Sequence, residues 1–149
     1  MEEVVAALAS WSPWVPVEQA RLQAPRQPGV YMARSAVTRV VVYVGSAGPR
    51  ASDRSGIRGR ICKYTGGLAS GLGEAALDRA LADPEWLRVR LAEVEAGRAM
   101  RAAEWAKAAL RRAEVELCWA VTSSKEEARA LERRVQTAIG PQLWNRELP

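Results

Sequence analysis

Two short runs, Pro28-Gly29-Val30-Tyr31-Met32-Ala33 and Val40-Val41-Val42-Tyr43-Val44-Gly45-Ser46, carry the strongest structural signal in this chain. Each run is rich in β-branched and aromatic residues and is bounded by turn residues, which is the pattern of a β-strand. The connection around Ser35 to Thr38 is too short for a parallel crossover. The sequence therefore predicts an antiparallel hairpin in which each strand carries a tyrosine two residues from a glycine.

Composition limits the kinds of protein this chain can be. It has 149 residues, of which 48% are hydrophobic, enough for one domain with a real core. There is no run of 18 apolar residues, and the amino terminus is acidic where a signal peptide would be positive, so we expect a cytoplasmic protein with no membrane span. Cys62 and Cys118 are expected to be reduced thiols. Because the chain has no histidine, a Ser-His-Asp triad and any zinc site that uses histidine are excluded.

The rest of the chain predicts helices around one more strand. A helix should begin near Gly56, a largely helical stretch should run from Leu72 to Ala113, and Val115 to Val121 should form a third strand. Ser124-Lys125-Glu126-Glu127 is a capping box that opens a helix ending near Ile139. We therefore predict an α+β fold in a single domain, residues 1–149. Its small three-stranded antiparallel or mixed sheet is flanked by helices, with a helical insertion at about 68–113.

Glu132 stands out in the last predicted helix. With Ala128 at zero and about 100° per residue, Glu132 falls at about +40°, on the margin of the apolar arc formed by Leu131, Val135 and Ile139. A carboxylate pressed against a core needs a cation, a hydrogen-bond donor or a metal. At this point a salt bridge to an arginine, or a side chain that turns outward to solvent, is an equally open interpretation.

Tyrosine and arginine are the other candidates for chemistry. Tyr31 and Tyr43 each lie two residues from a glycine at a strand end, where a ligand's backbone could come close. A tyrosine hydroxyl can orient or deprotonate water, but its ordinary pKa near 10 requires help from a positive charge. Arg60 and Tyr64 are four residues apart and share one face of a helix. Tyrosines packed with their hydroxyls at the surface, and an ordinary exposed helix pair, are the alternatives.

One short segment holds nearly all of the net charge of +5. Between residues 50 and 63 there are five basic residues against one acidic residue, a net charge of +4, and the other 135 residues carry only +1. A phosphate backbone suits such a segment, although basic loops without a ligand are also common. The candidates for phosphate contact are Arg50, Arg54, Arg58 and Lys63.

The order of these residues resembles the GIY-YIG nuclease superfamily. Its pattern is met by Gly29-Val30-Tyr31, Tyr43-Val44-Gly45, Arg60, Tyr64, Glu132 and Asn145. The resemblance covers residues 28–66 and 115–145. Val30 and Val44 replace the isoleucines of the family name, and Tyr64 stands where many members have histidine.

The resemblance implies a metal-dependent endonuclease that hydrolyses phosphodiester bonds, most readily in DNA. Glu132 would hold one divalent ion, Mg²⁺ or alternatively Mn²⁺, and Tyr31 or Tyr43 would orient or deprotonate the attacking water, with Lys63 nearby. Arg60 would offset the developing charge, and Tyr64 and Asn145 would complete the site. An inactive nucleic-acid-binding module on the same fold, and a protein-interaction domain or homodimer formed through the helical insertion, are the alternatives.

Overall fold

The computed structural model describes residues 3–48 and 56–145. Its sheet contains β1 (Val15–Pro16), β2 (Gly29–Ser35), β3 (Val41–Ala47) and β4 (Val115–Val121), in the order β1-β4-β2-β3. Every neighbouring pair is antiparallel. The α+β class is confirmed, but the prediction of three strands was wrong by one, because Val15–Pro16 pairs with the free edge of β4. A two-residue strand ending in proline has no periodicity to detect, and proline is tolerated there because the strand lies at the edge.

The helices begin and end close to their sequence signals. Ser124 accepts a hydrogen bond from the Glu127 N–H at 3.1 Å, and the Glu127 carboxylate accepts one from the Ser123 N–H at 3.0 Å. Asp83 accepts from the Glu85 N–H at 2.9 Å. The helix start predicted at Ser124 is thereby confirmed, and Asp83 caps a second helix in the same way. The helices are α1 (Glu3–Ala6), α2 (Val17–Gln23), α3 (Gly56–Thr65), α4 (Leu72–Leu81), α5 (Pro84–Glu95), α6 (Ala102–Arg112) and α7 (Lys125–Ile139).

The sheet separates two hydrophobic clusters. Side chains alternate along a strand, so Tyr31 and Ala33 of β2 face α2, α3 and α4, while Val30 and Met32 face the opposite side, where α7 packs. Burial of apolar side chains on both faces is the main source of stability for such a layered domain.

The helices of the predicted insertion differ in how much they contribute to the core. Leu72 and Ala80 of α4 have no exposed surface, and Leu110 of α6 is also buried, so these two helices are part of the core beside α3. In contrast, α5 contributes no buried residue. Part of the predicted insertion therefore contributes to the hydrophobic core of the domain, although it lies outside the segments that the resemblance covers.

Two other predictions concern the thiols and the membrane. Cys62 and Cys118 are free thiols, as expected, and burial raises the pKa of Cys118 to about 12. Within residues 3–48 and 56–145, no helix has both the length and the apolar character needed to span a bilayer.

Candidate active site

Three tyrosines converge on one face of the sheet. In the β2–β3 pairing, Tyr31 lies opposite Gly45 and Tyr43 lies opposite Ala33, so the two phenol rings project from the same face as diagonal neighbours. Their ring centroids are 6.2 Å apart and the rings are nearly parallel. Helix α3 adds Tyr64, whose ring lies 6.1 Å from that of Tyr31 and whose hydroxyl is hydrogen-bonded to the Tyr31 hydroxyl. We call Tyr31, Tyr43 and Tyr64 the phenol cluster.

Glycine residues leave the space that the phenol cluster occupies. A Cβ atom at Gly45 would lie 2.4 Å from the Tyr31 hydroxyl oxygen, and one at Gly71 would lie 2.8 Å from the hydroxyl oxygens of both Tyr43 and Tyr64. At Gly29 a Cβ would meet the Ala120 carbonyl oxygen at 2.2 Å. The expectation that the glycines beside the tyrosines leave space for a ligand is therefore corrected, because this chain's own atoms fill that space.

The phenol cluster is buried, which fixes its protonation. Tyr31 and Tyr64 are 1% exposed and Tyr43 is 9% exposed. Burial is the largest cause in each case and raises the pKa of all three hydroxyls above the ordinary value of 10. The three groups are consequently neutral at physiological pH. They can donate and accept hydrogen bonds, but they are poorly suited to remove a proton from water.

Arg60 is the positive charge of the site. It lies half-buried on α3, one turn before Tyr64, and its charge lowers the pKa of each phenol, although burial outweighs this effect. In the described residues its guanidinium is not paired with a carboxylate. The predicted neighbourhood of Arg60 and the tyrosines is therefore present.

Glu132 reaches the site from the opposite face. It belongs to α7, and its Oε2 accepts a hydrogen bond from the Ser46 hydroxyl at 2.5 Å. Ser46 follows Gly45 on β3 and so points toward α7, away from the phenol cluster. The negative charge of Glu132 nevertheless helps to raise the pKa of Tyr43. Because β3 is an edge strand of the sheet, the two faces meet there, and Glu132 and Tyr43 lie near enough for their charges to interact.

Asn145 is hydrogen-bonded to the edge strand β3. Its Oδ1 accepts a hydrogen bond from the Val44 N–H at 3.2 Å, and its Nδ2 donates to the Val44 carbonyl at 2.7 Å. The Trp144 N–H also donates to the Val42 carbonyl at 2.6 Å. The tail thus covers part of the open edge of β3 between Tyr43 and Gly45, and the two hydrogen bonds of Asn145 hold it there.

A pocket of about 290 Å³ opens beside the phenol cluster. Tyr43 is the member of the cluster that lines it, together with Asn145 and Gly71, and α4 forms the opposite wall through Glu74, Ala75 and Asp78. The backbone of Leu72, at the start of α4, lies close enough to the Tyr64 hydroxyl to lower its pKa, against the larger effect of burial. A helix predicted to lie outside the shared core therefore forms one wall of the candidate site.

The residues predicted to contact phosphate differ in their surroundings and in whether the structure describes them. The Arg58 guanidinium donates to the Ala24 carbonyl at 2.7 Å and to the Leu22 carbonyl at 2.6 Å, at the end of α2. This interaction holds α2 against α3, and a phosphate contact of Arg58 stays a prediction. Lys63 is half-buried on α3, one turn after Arg60. Arg50 and Arg54 lie outside the described residues.

Several residues of the site were missed in the sequence. Ser46 could have been found from the strand alternation, since it is the polar residue of β3 that faces α7. Gly71 and Leu72 carried no such signal, because their contact with the phenol cluster depends on how α4 folds back onto α3.

Comparison with known proteins adds no further constraint. A scan against protein-family models, a search of curated proteins and a search of solved structures each found no match.

Proposed function

We propose that this protein is a metal-dependent endonuclease of the GIY-YIG type that hydrolyses phosphodiester bonds, with DNA as its preferred substrate. The proposal is supported by the position of Tyr43, a member of the phenol cluster on the edge strand β3, which lies within electrostatic range of both Arg60 and Glu132. Neither Arg60 nor Glu132 lines the pocket beside Tyr43. Perturbed titratable groups beside a pocket are typical of functional sites.

The chemistry of Glu132 suits a divalent cation. Its carboxylate is half-buried at the sheet edge, and one of its oxygens accepts the Ser46 hydrogen bond, which orients the group. In the described part of the chain its other oxygen has no hydrogen-bond partner. Oxygen ligands of this kind suit Mg²⁺ and Mn²⁺, which retain several waters and also bind substrate phosphate. The described residues contain no group of three carboxylates or thiols able to hold a metal, so Glu132 would be the main protein ligand.

The other residues have roles that follow from their positions. A bound cation would supply charge stabilisation at the phosphate and a more acidic water. Arg60 would neutralise the charge that develops on the phosphate oxygens as water attacks phosphorus and the bond to the leaving oxygen breaks. Tyr43 lines the pocket, so its hydroxyl would hydrogen-bond to the attacking water. Tyr31 and Tyr64 would be positioning residues, since neither lines that pocket.

The buried phenols also narrow the mechanism. The sequence left open whether a tyrosine orients water or removes its proton. Because burial raises the pKa of all three hydroxyls, we favour orientation, with the proton of the attacking water passing to solvent. The pH dependence of cleavage should then be set by the metal-bound water and not by a phenol.

Charges around the site favour one path for the nucleic acid. On α7, Arg129 and Arg133 are exposed and lie about 60° and 100° around the helix axis from Glu132. On the other side, Glu74 and Asp78 of α4 line the pocket and would repel phosphate. We therefore propose that the backbone of the substrate crosses the α7 side of the β3 edge.

A cleavage panel tests the proposed function. Supercoiled plasmid, single-stranded DNA, flap DNA and RNA are incubated with wild-type protein, Glu132→Gln and the matched control Glu126→Gln, in Mg²⁺ and in Mn²⁺. Glu126 is an exposed carboxylate on the same helix. We expect the wild type and Glu126→Gln to cut at least one DNA and Glu132→Gln to bind it without cutting. If wild type binds nucleic acid but cuts nothing in either metal, the inactive binding module becomes the better account.

A further inference from the structure

Helix α5 presents an apolar stripe that its own fold covers only in part, at the half-buried Leu87. Among the helices of the described residues, it is the one with no buried residue. Leu87, Leu91 and Val94 are spaced i, i+4 and i+7 and so form one stripe. Leu91 is 57% exposed and Val94 is 46% exposed. Large apolar side chains left in water along one helix face are typical of a surface that another protein covers.

One flank of this stripe is already used within the molecule. The Arg90 guanidinium lies over the Trp86 ring, 5.3 Å from its centroid, and Arg90 Nε lies 3.3 Å from Glu93 Oε2. The Trp86 ring in turn packs edge-on against Trp105 of α6 at 5.6 Å. These contacts hold α5 in place and fix the direction in which its stripe faces.

The opposite flank carries two charges that match each other under a two-fold axis. Arg88 and Glu95 are both exposed, and in the described part of the chain neither forms an ion pair. They are seven residues apart, so they lie on the same side of the helix, about 10.5 Å apart along its axis. A two-fold axis midway between them, beside Leu91, places Arg88 of each copy level with Glu95 of the other.

We infer that α5 pairs antiparallel with α5 of a second copy of this chain, forming a symmetric homodimer. Leu91 packs against Leu91 of the partner copy near the axis, and Leu87 packs against Val94 of the partner copy on either side, as in an antiparallel coiled coil. Arg88–Glu95 ion pairs then form twice along one flank. The interface is isologous, so it closes at two copies.

The small size of the contact sets its strength. A single pair of 12-residue helices covers less than the roughly 1,200 Å² found in standard stable interfaces. We therefore expect a concentration-dependent dimer with a dissociation constant in the micromolar range. This inference does not depend on nuclease activity.

Charge exchange provides the test. Sedimentation equilibrium without nucleic acid, over about 1 to 500 μM, should show a monomer–dimer equilibrium for the wild type. Arg88→Glu or Glu95→Arg alone should raise the dissociation constant about tenfold or more, because each places like charges at two symmetry-related contacts. The double variant Arg88→Glu/Glu95→Arg should regain wild-type affinity. Arg21→Glu, the same charge change at an exposed position of α2, should leave the dissociation constant of the dimer unchanged.

Any one of three other results would contradict the inference. A wild type that is monomeric at 500 μM means that α5 is not a dimer interface of this chain. A dimer that both single variants leave intact places the interface elsewhere. A double variant no better than the single variants rejects the antiparallel register. Circular dichroism of each variant checks that α5 is still folded, so that a lost dimer is not confused with an unfolded helix.

Discussion

Replacing Gly45 with alanine should damage the candidate site by a route that can be worked out from distances. The new methyl group would lie 2.4 Å from the Tyr31 hydroxyl oxygen and 2.6 Å from its ring carbon Cζ. Ordinary contacts between such atoms are about 3.5 Å, so Tyr31 has to move by about 1 Å. It is 1% exposed and hydrogen-bonded to Tyr64, and the space around it is already filled.

The expected cost has two parts. Overpacking a filled core costs about 1–3 kcal/mol, and weakening the Tyr31–Tyr64 hydrogen bond adds about 0.5–1.5 kcal/mol. We expect Gly45→Ala to lower the free energy of unfolding by about 2–4 kcal/mol, measured by urea denaturation with tryptophan fluorescence. Because a misplacement of about 1 Å at a site, even one caused by a change away from the reacting atoms, can cost about 10²-fold in rate, single-turnover cleavage should fall by a similar factor at temperatures where the variant is folded.

Gly97→Ala is the matched control for this experiment. Gly97 has φ +75°, and a methyl group added there would have no other atom within 4 Å, so the substitution strains the backbone by about 1 kcal/mol without moving a tyrosine. It should lose some stability and keep full activity. If Gly45→Ala retains wild-type stability and cleavage, Tyr31 does not occupy the space over Gly45 and the geometry of the phenol cluster is wrong.

Three further predictions follow from the site and its surroundings. All three tyrosines of the chain lie in the phenol cluster, so the folded protein should show no phenolate absorbance at 295 nm near pH 10, whereas the unfolded chain should titrate there. Since the folded state keeps protons that the unfolded state has lost, stability should fall as pH rises above 10; a folded protein with a phenol of ordinary pKa would contradict this. Asn145→Ala removes both hydrogen bonds to Val44 and should lower the free energy of unfolding, measured in urea, by about 1–2 kcal/mol. The exposed Gln142→Ala should leave that free energy nearly unchanged, and equal effects of the two substitutions would show that the Asn145 hydrogen bonds do not stabilise the fold. Arg129→Ala and Arg133→Ala should each reduce the salt slope of DNA binding by about one, and exposed Arg111→Ala on α6 should not; unchanged slopes would place the substrate elsewhere.

Local signals predicted the elements of the fold well. Strand β4 spans Val115–Val121 as its β-branched pattern indicated, and the capping residues Ser124 and Asp83 fixed the starts of α7 and α5. These features depend on interactions within a few residues of each other, which is why sequence spacing suffices to find them. The extra strand Val15–Pro16 depends on pairing with β4, about 100 positions away, and no local pattern marks it.

The candidate site was predictable in its members and less so in its surroundings. The angle of Glu132 on its helix correctly indicated a carboxylate at a core margin, but its hydrogen-bond partner, Ser46, is visible only when β3 and α7 are packed together. Arg58 illustrates the opposite case. Its place in a basic segment indicated a phosphate contact, yet the carbonyl groups at the end of α2 bind it. The charge of a sequence segment does not show which of its cationic side chains form hydrogen bonds within the folded chain.

The most direct test of the central claim is the single-turnover rate of DNA cleavage in Mg²⁺ for Glu132→Gln, relative to Glu126→Gln, on a substrate that wild type cuts. The amide keeps the size of the side chain but removes the charge that a cation requires. We predict a rate at least about 10³-fold below that of the control, with DNA affinity unchanged. Equal rates for the two variants would show that the carboxylate held by Ser46 takes no part in hydrolysis.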